Sequence, residues 1–150
     1  MTQGTMRVYT RFVKADLPCA CTMLRRASRG VTAAYDSALA PCDLRVTQFS
    51  VLRTLERLGP LPITRLAAEA ALDRSTMGRN LGPLERRGLV RIEAGAKDQR
   101  ERVARLTAEG KAAIAAAVPL WRGAQRRIAG LIDYATLGTL VERLRAVGRS

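Results

Sequence analysis

The sequence contains no histidine. That excludes a histidine-bearing zinc site, a Ser-His-Asp triad and a Cys-His pair. Aromatic residues make up only 4%, too few for a surface that stacks on single-stranded bases. No apolar run reaches the roughly 18 residues of a membrane span. The N-terminus lacks a basic segment followed by an apolar one, which argues against secretion. The cysteines, Cys19, Cys21 and Cys42, are then expected as reduced thiols in a cytoplasm. No Gly-rich phosphate cradle and no facing pair of carboxylates is visible, so nothing describes an enzyme or implies a cofactor. Lysine is scarce as well: Lys14, Lys97 and Lys111 are the only ones among 26 basic residues.

What is present is arginine. Against 13 acidic residues the basic ones leave a net charge of +13. Hydrophobic residues, at 47%, suffice for a core, so the charge does not signal disorder. The length fits one domain over residues 1–150. Coding bias and solubility are the competing, lesser explanation of the arginine-to-lysine ratio. The net charge itself points to a polyanion, because the guanidinium fork matches phosphates and base edges.

Hydrophobic spacing orders the chain. Met1 to Ala15 has no period and reads as an arm. Asp16 is placed to cap a helix whose seam runs Leu17, Cys21, Leu24, Ser28, Val31, Tyr35 and Ala38, with Pro41 as its stop. Thr47 is the expected cap of a short helix carrying Phe49, Leu52, Leu55 and Leu58. Pro62 is extended, Thr64 caps a third helix, and Ala71-Leu72-Asp73 makes a tight turn. Asp73 caps a fourth helix with Met77, Leu81 and Leu84 inside, and Gly88 suits a left-handed C-terminal cap. The period then becomes two. Val90 and Ile92, a turn at Gly95-Ala96-Lys97-Asp98, then Val103 and Leu106 describe a β-hairpin. Thr107 caps a long helix through Ile114, Ala117, Trp121, Ala124, Ile128 and Leu131, with a kink expected at Pro119. Asp133 caps a last helix with Leu137, Leu140, Leu144 and Val147.

Two short helices, a tight turn and then a hairpin is the winged helix-turn-helix order, whose second helix enters the major groove by its N-terminal residues. With Met77, Leu81 and Leu84 inside, Ser75, Thr76, Arg79 and Asn80 are expected outside. Arginine reads guanine, asparagine reads adenine, and the hydroxyls serve bases or phosphates. From Arg74 to Arg105 the chain holds nine basic and four acidic residues, a local net of +5. Arginines at a hairpin tip suit a narrow, electronegative minor groove.

Asp98-Gln99-Arg100 followed by Leu106-Thr107 resembles the D-x-R…L-T wing signature of the MarR family. Leu66-Ala67, Leu72 to Thr76, Arg79 to Leu81 and Leu84 to Val90 resemble that family too, and the likeness extends over nearly all of Leu17 to Val147. The resemblance implies a bacterial homodimeric transcription regulator, usually a repressor, whose terminal helices interlock and whose DNA affinity responds to a small ligand or an oxidant. The fold it implies is mainly α with a small β-hairpin wing. Residues 44–106 would form the winged helix-turn-helix, and 17–40 and 108–147 the dimerisation helices. Arg100 resembles the arginine that enters the minor groove, Asp98 the acid that orients it, and Ser75, Thr76 and Arg79 the readers. Arg45 and Thr47 are phosphate candidates, Arg74 and Arg86 add charge on the same side, and Arg102 is a further wing candidate. Pro83 departs from a straight recognition helix. It removes a donor and clashes with the Arg79 carbonyl, so a bend or an end near Gly82 is expected.

The terminal seams are too apolar for solvent, and two-fold association is the commonest way to cover them. It would set two recognition helices about 34–36 Å apart on a pseudo-palindromic duplex. Two kinds of signal fit the residues. Cys19, Cys21 and Cys42, with Arg25 and Arg29 near the first two, suit thiol oxidation or capture of a thiophilic metal. Tyr35, Trp121, Arg25 and Arg29 suit an aromatic acid in a cleft. Cys21 and Trp121 lie on apolar seams, where packing is the competing role. A nonspecific basic binder is the competing function.

Overall fold

The computed structural model describes residues 17–96 and 98–147. The expected arm, its cap Asp16 and the tip residue Lys97 lie outside the described residues. The chain divides into two compact units, Met1–Ala33 and Ala34–Ser150.

Helix α1, Ala20–Leu39, crosses from the first unit into the second. It begins later than the seam predicts: Leu17, Pro18 and Cys19 precede it, and the Cys19 carbonyl accepts the Met23 amide at 3.1 Å. Cys21, Met23, Leu24, Arg25 and Arg29 are all exposed, so this part of the seam is uncovered. Cys21 is therefore not a core cysteine of the protomer.

In the second unit the end of α1 buries Tyr35 and Leu39. A 3-10 turn at Ala40–Cys42, containing Pro41, closes it. Helix α2, Val46–Leu58, then buries Phe49, Val51, Leu52 and Leu55. Its N-cap is Arg45 rather than Thr47. The open amides at its start are met from elsewhere: Asp36 of α1 accepts from Val46 at 2.7 Å, and Gln48 accepts from Arg45 at 3.0 Å. Strand β1 is only Leu61–Pro62, and helix α3, Ile63–Glu69, has no side-chain cap, so Thr64 does not serve as one.

Helix α4, Arg74–Arg86, starts as expected. Asp73 accepts the Thr76 amide at 2.8 Å, and Met77, Leu81 and Leu84 are buried. It runs through Pro83 to Arg86 instead of ending at Gly82. Buried Leu81 and Leu84 flank the proline, and their packing outweighs one lost backbone bond. Gly88 at φ 69° then reverses the chain, with Leu89 bonding back to Leu84 and Gly88 to Glu85, each at 2.9 Å. Ala71, at φ 52°, makes the same reversal after α3 without being glycine.

Strands β2, Val90–Ala94, and β3, Arg102–Leu106, pair antiparallel with Val90 opposite Leu106 and Ala94 opposite Arg102. Strand β1 adds to the far edge of β3, so the wing is a three-stranded sheet in the order β1-β3-β2. Helix α5, Ala108–Ala129, is capped by Thr107 and continues through Pro119, while α6, Tyr134–Val147, is capped by Asp133. Leu39, Leu52, Leu66, Met77, Leu84 and Ile114 are almost fully buried in one core. Each such side chain stabilises the fold by roughly 1.5–3 kcal/mol relative to exposure. None of α6 is buried in the protomer. No helix among the described residues is long and apolar enough to cross a membrane.

Candidate nucleic-acid interface

The exposed side of α4 begins at its cap. Asp73 accepts both the amide and the hydroxyl of Thr76, at 2.8 and 2.6 Å. The Thr76 hydroxyl is the first cause, and its amide the second, holding the Asp73 carboxyl below the usual range. The same hydroxyl accepts from Arg79 Nη2 at 3.2 Å, which orders the arginine on the helix surface. Arg74 and Ser75 are exposed beside them.

Asn80 is not on that surface. It is 8% exposed, donates to the Thr76 carbonyl at 2.8 Å and accepts from the Thr47 hydroxyl at 2.8 Å. It stands one turn after buried Met77 and one turn before buried Leu84, on the helix face that meets α2. The expectation that it faces outward is corrected. Thr47 is half-buried, with its proton directed to Asn80 rather than outward.

The wing supplies the second half of the interface. Asp98 accepts the backbone amide of Arg100 at 2.9 Å, and the Asp98 carbonyl accepts from Glu101 at 3.1 Å. Asp98 therefore shapes the turn that carries Arg100; it does not hold the guanidinium. Ile63 and Thr64 of α3, Arg74, Gly78, Leu81 and Gly82 of α4, Ile92, and Asp98, Arg100, Glu101 and Arg102 of the wing enclose one cleft of about 580 Å³.

The pairing of the arginines divides them. Arg91 and Arg105 both approach Glu93, at 3.8 and 3.7 Å, and Arg87 approaches Asp43 at 3.6 Å. Among the described residues no carboxylate pairs with Arg74, Arg79, Arg86, Arg100 or Arg102, all exposed. Three of these five guanidinia lie on α4 and two on the wing, which leaves both with cationic side chains available to a polyanion. Arg45, exposed at the start of α2, approaches Asp36 at 3.6 Å.

The signal candidates are dispersed. Cys19, Cys21, Arg25 and Arg29 belong to the first unit and are exposed. Hydrogen bonds from the amide and hydroxyl of Thr22 hold the Cys19 thiol below its usual pKa. Cys42 is half-buried against the core rather than open. Trp121 packs on Phe49, with ring centroids 5.9 Å apart. Tyr35 donates to Gln125, whose amide donates to Tyr134 at 2.7 Å. Burial, with Tyr134 second, pushes the Tyr35 phenol up to about 12. Tyr35 and Trp121 thus have packing roles in the second unit. No cluster of three or more metal-ligating side chains occurs among the described residues. Asp36, Gln125 and Arg87 carry no local signal as contact residues, because each reaches a partner outside its own turn of the chain.

Residues 44–101 match the MarR family model. The transcriptional regulator HosA of Escherichia coli O157:H7 is 31% identical over 103 residues, 69% of this chain and 76% of that protein. HosA of an enteropathogenic E. coli strain is 37% identical over 78 residues, a match that spans 58% of its length. The M. tuberculosis regulator MosR is 38% identical, with a TM-score of 0.78 over 90% of this chain and 98% of that one. MosR has also been solved in complex with DNA, at 42% identity and a TM-score of 0.71 over 85% and 98% of the two chains. CouR of Rhodococcus jostii, solved with p-coumaroyl-CoA, is 26% identical with a TM-score of 0.70 over 87% and 92%. The chain belongs to the MarR family, and its fold is the mainly helical winged helix-turn-helix of those regulators.

Proposed function

We propose that this chain is a sequence-specific, double-stranded-DNA-binding transcriptional regulator that represses as a homodimer on a pseudo-palindromic operator. The observation that carries this reading is the set of unpaired arginines shared by α4 and the wing. Arg79, Ser75 and Thr76 read base edges from the N-terminal half of α4, and Arg100, with Arg102 beside it, enters the minor groove. Arg45, Arg74 and Arg86 meet phosphates, Thr47 gives its proton to Asn80 instead, and Asp98 sets the wing turn. The DNA-bound relative MosR supports the same use of the same fold. The dimer is supported by α6, where Leu137, Leu140, Val141 and Leu144 are each 37–42% exposed on a helix with no buried residue. An apolar face of that kind marks an association surface. A regulator of DNA acts in the compartment that holds it, here the cytoplasm.

The test is selection from a randomised duplex pool with the purified protein. Enrichment of an inverted repeat with half-sites about one helical turn apart supports the reading. A pool that stays random supports a nonspecific basic binder instead.

Release from DNA is assigned to a small organic ligand or to thiol chemistry. Thiol chemistry is favoured by Cys19, which lies outside the helix, is exposed and has a lowered pKa. Its thiolate, oxidised by a peroxide, would pair with Cys21 or with a cysteine of a second chain. Cys19, Cys21 and Cys42, replaced singly by serine, test this: three variants that release DNA like the parent leave the organic ligand as the signal.

A further inference from the structure

Arg86 and Arg87 are adjacent cations at the end of α4, yet only Arg86 is unpaired. Arg87 is the C-cap, and its guanidinium turns back toward the chain. Nη1 donates to the Asp43 carbonyl and Nη2 to the Cys42 carbonyl at 3.3 Å, while Nη1 also lies 3.6 Å from the Asp43 carboxylate. Its side chain is 33% exposed.

The corner it holds is an unusual one. After the 3-10 turn, Asp43 adopts φ 50°, and its amide bonds back to Ala40 at 2.9 Å. The carbonyls of Cys42 and Asp43 end a helical segment and have no next turn to receive them. A planar fork meets two such carbonyls at once, which an ammonium on a single point cannot do. The same corner is bound to the last turns of α1, because Asp36 accepts from Val46 at 2.7 Å and approaches Arg45 at 3.6 Å. The end of α1, the corner and the first turn of α2 thus form one hydrogen-bonded block.

Helix α4 is polar-bonded to that block at two places. One is Asn80 with Thr47, at 2.8 Å; the other is Arg87 with Cys42 and Asp43. They lie two turns apart, about 10 Å along the axis. One attachment leaves a rod free to pivot; two fix its direction. We propose that Arg87 is a positioning residue for DNA reading, which sets the angle of α4 by latching its C-terminal end to the corner that follows α1. The inference rests on the DNA-reading function proposed above. Arg87 itself takes no phosphate, although its sequence position beside Arg86 would suggest one.

The test compares the parent with Arg87→Lys, Arg87→Gln and Arg86→Gln. Affinities are measured on the selected operator and on a random duplex over a range of salt, well below each unfolding midpoint. Arg87→Lys keeps the charge and removes the fork. It is expected to weaken operator binding by about 5- to 30-fold, with random-duplex affinity within about twofold and the salt slope unchanged. Arg87→Gln should behave alike, and Arg86→Gln should weaken both duplexes and lower the salt slope by about one. Arg87→Lys binding like the parent would overturn the latch, as would an Arg87→Gln salt slope that falls by about one. If Arg87→Gln does not fold, Arg87→Lys decides alone. A parent that does not separate the two duplexes overturns the DNA-reading function, and the latch with it; a parent that does, with variants unchanged, overturns only the latch.

Discussion

Replacing Asn80 by alanine separates a scaffold residue from a base reader. The amide makes two hydrogen bonds, to the Thr76 carbonyl and from the Thr47 hydroxyl, each at 2.8 Å, and is 8% exposed. Each such bond contributes about 0.5–1.5 kcal/mol, and an orphaned hydroxyl adds a desolvation cost. Alanine regains roughly 0.5 kcal/mol of helix propensity. The net expected loss is about 1–2 kcal/mol, or a fall of about 3–8 °C in Tm for a chain of this size. The assay is thermal unfolding followed by circular dichroism at fixed protein concentration, since association shifts the midpoint. Thr47→Val completes a double-mutant cycle, with an expected coupling of about 0.5–1.5 kcal/mol. On a panel of single-base operator variants, Asn80→Ala should leave the order of preferences intact. An unchanged Tm together with lost discrimination at one base pair would refute the reasoning and return Asn80 to the readers.

Other expectations follow from local geometry. Gly110 lies in the first turn of α5, where a Cβ would stand 2.6 Å from Leu106 Cδ1 and closer still to the Leu89 carbonyl, itself bonded to Thr107 at 3.2 Å. Gly110→Ala should therefore destabilise by about 1–3 kcal/mol despite its better helix propensity, a loss read by urea unfolding. Ala71, at φ 52°, sits in left-handed backbone, so Ala71→Gly should stabilise by about 0.5–1 kcal/mol in the same assay, and a loss would show that its methyl packs. Hydrogen bonds from Thr76 hold Asp73 below the usual carboxyl pKa, and those from Thr136 do the same for Asp133. Because the folded pKa is depressed, this stabilisation is present above the ordinary range near pH 4 and is lost as pH falls through the lower folded value. Asp73→Asn keeps an acceptor without the charge, so its stability gap from the parent should close as pH falls from the ordinary carboxyl range through the lower folded pKa of Asp73.

Local chemistry was the legible part of the sequence. The caps Asp73, Thr107 and Asp133, the inner row Met77-Leu81-Leu84, the reversal at Gly88 and the hairpin all depend on neighbours within a few residues. What was misplaced depends on distant partners. The apolar row Met77-Leu81-Leu84 leaves Asn80 to the outer face, yet its spacing from Met77 and Leu84 places it inside once Thr47 is there to satisfy it. Thr47 has the position of a cap, but the acceptor that meets the first amide of α2, Asp36, lies in another helix. Two residues of β1 are too few to show a period. Pro83 stays within α4 because packing on both sides holds the helix. Of the interface, the composition showed the arginines, but only the fold shows which of them Glu93 and Asp43 neutralise.

The central claim is that α4 and the wing read a DNA sequence. The most direct measurement is the ratio of affinities for the selected inverted repeat and a scrambled duplex of equal length, taken across salt. The account predicts a ratio of at least about 10³ that persists as salt rises while both affinities fall. Equal affinities at every salt concentration would contradict it.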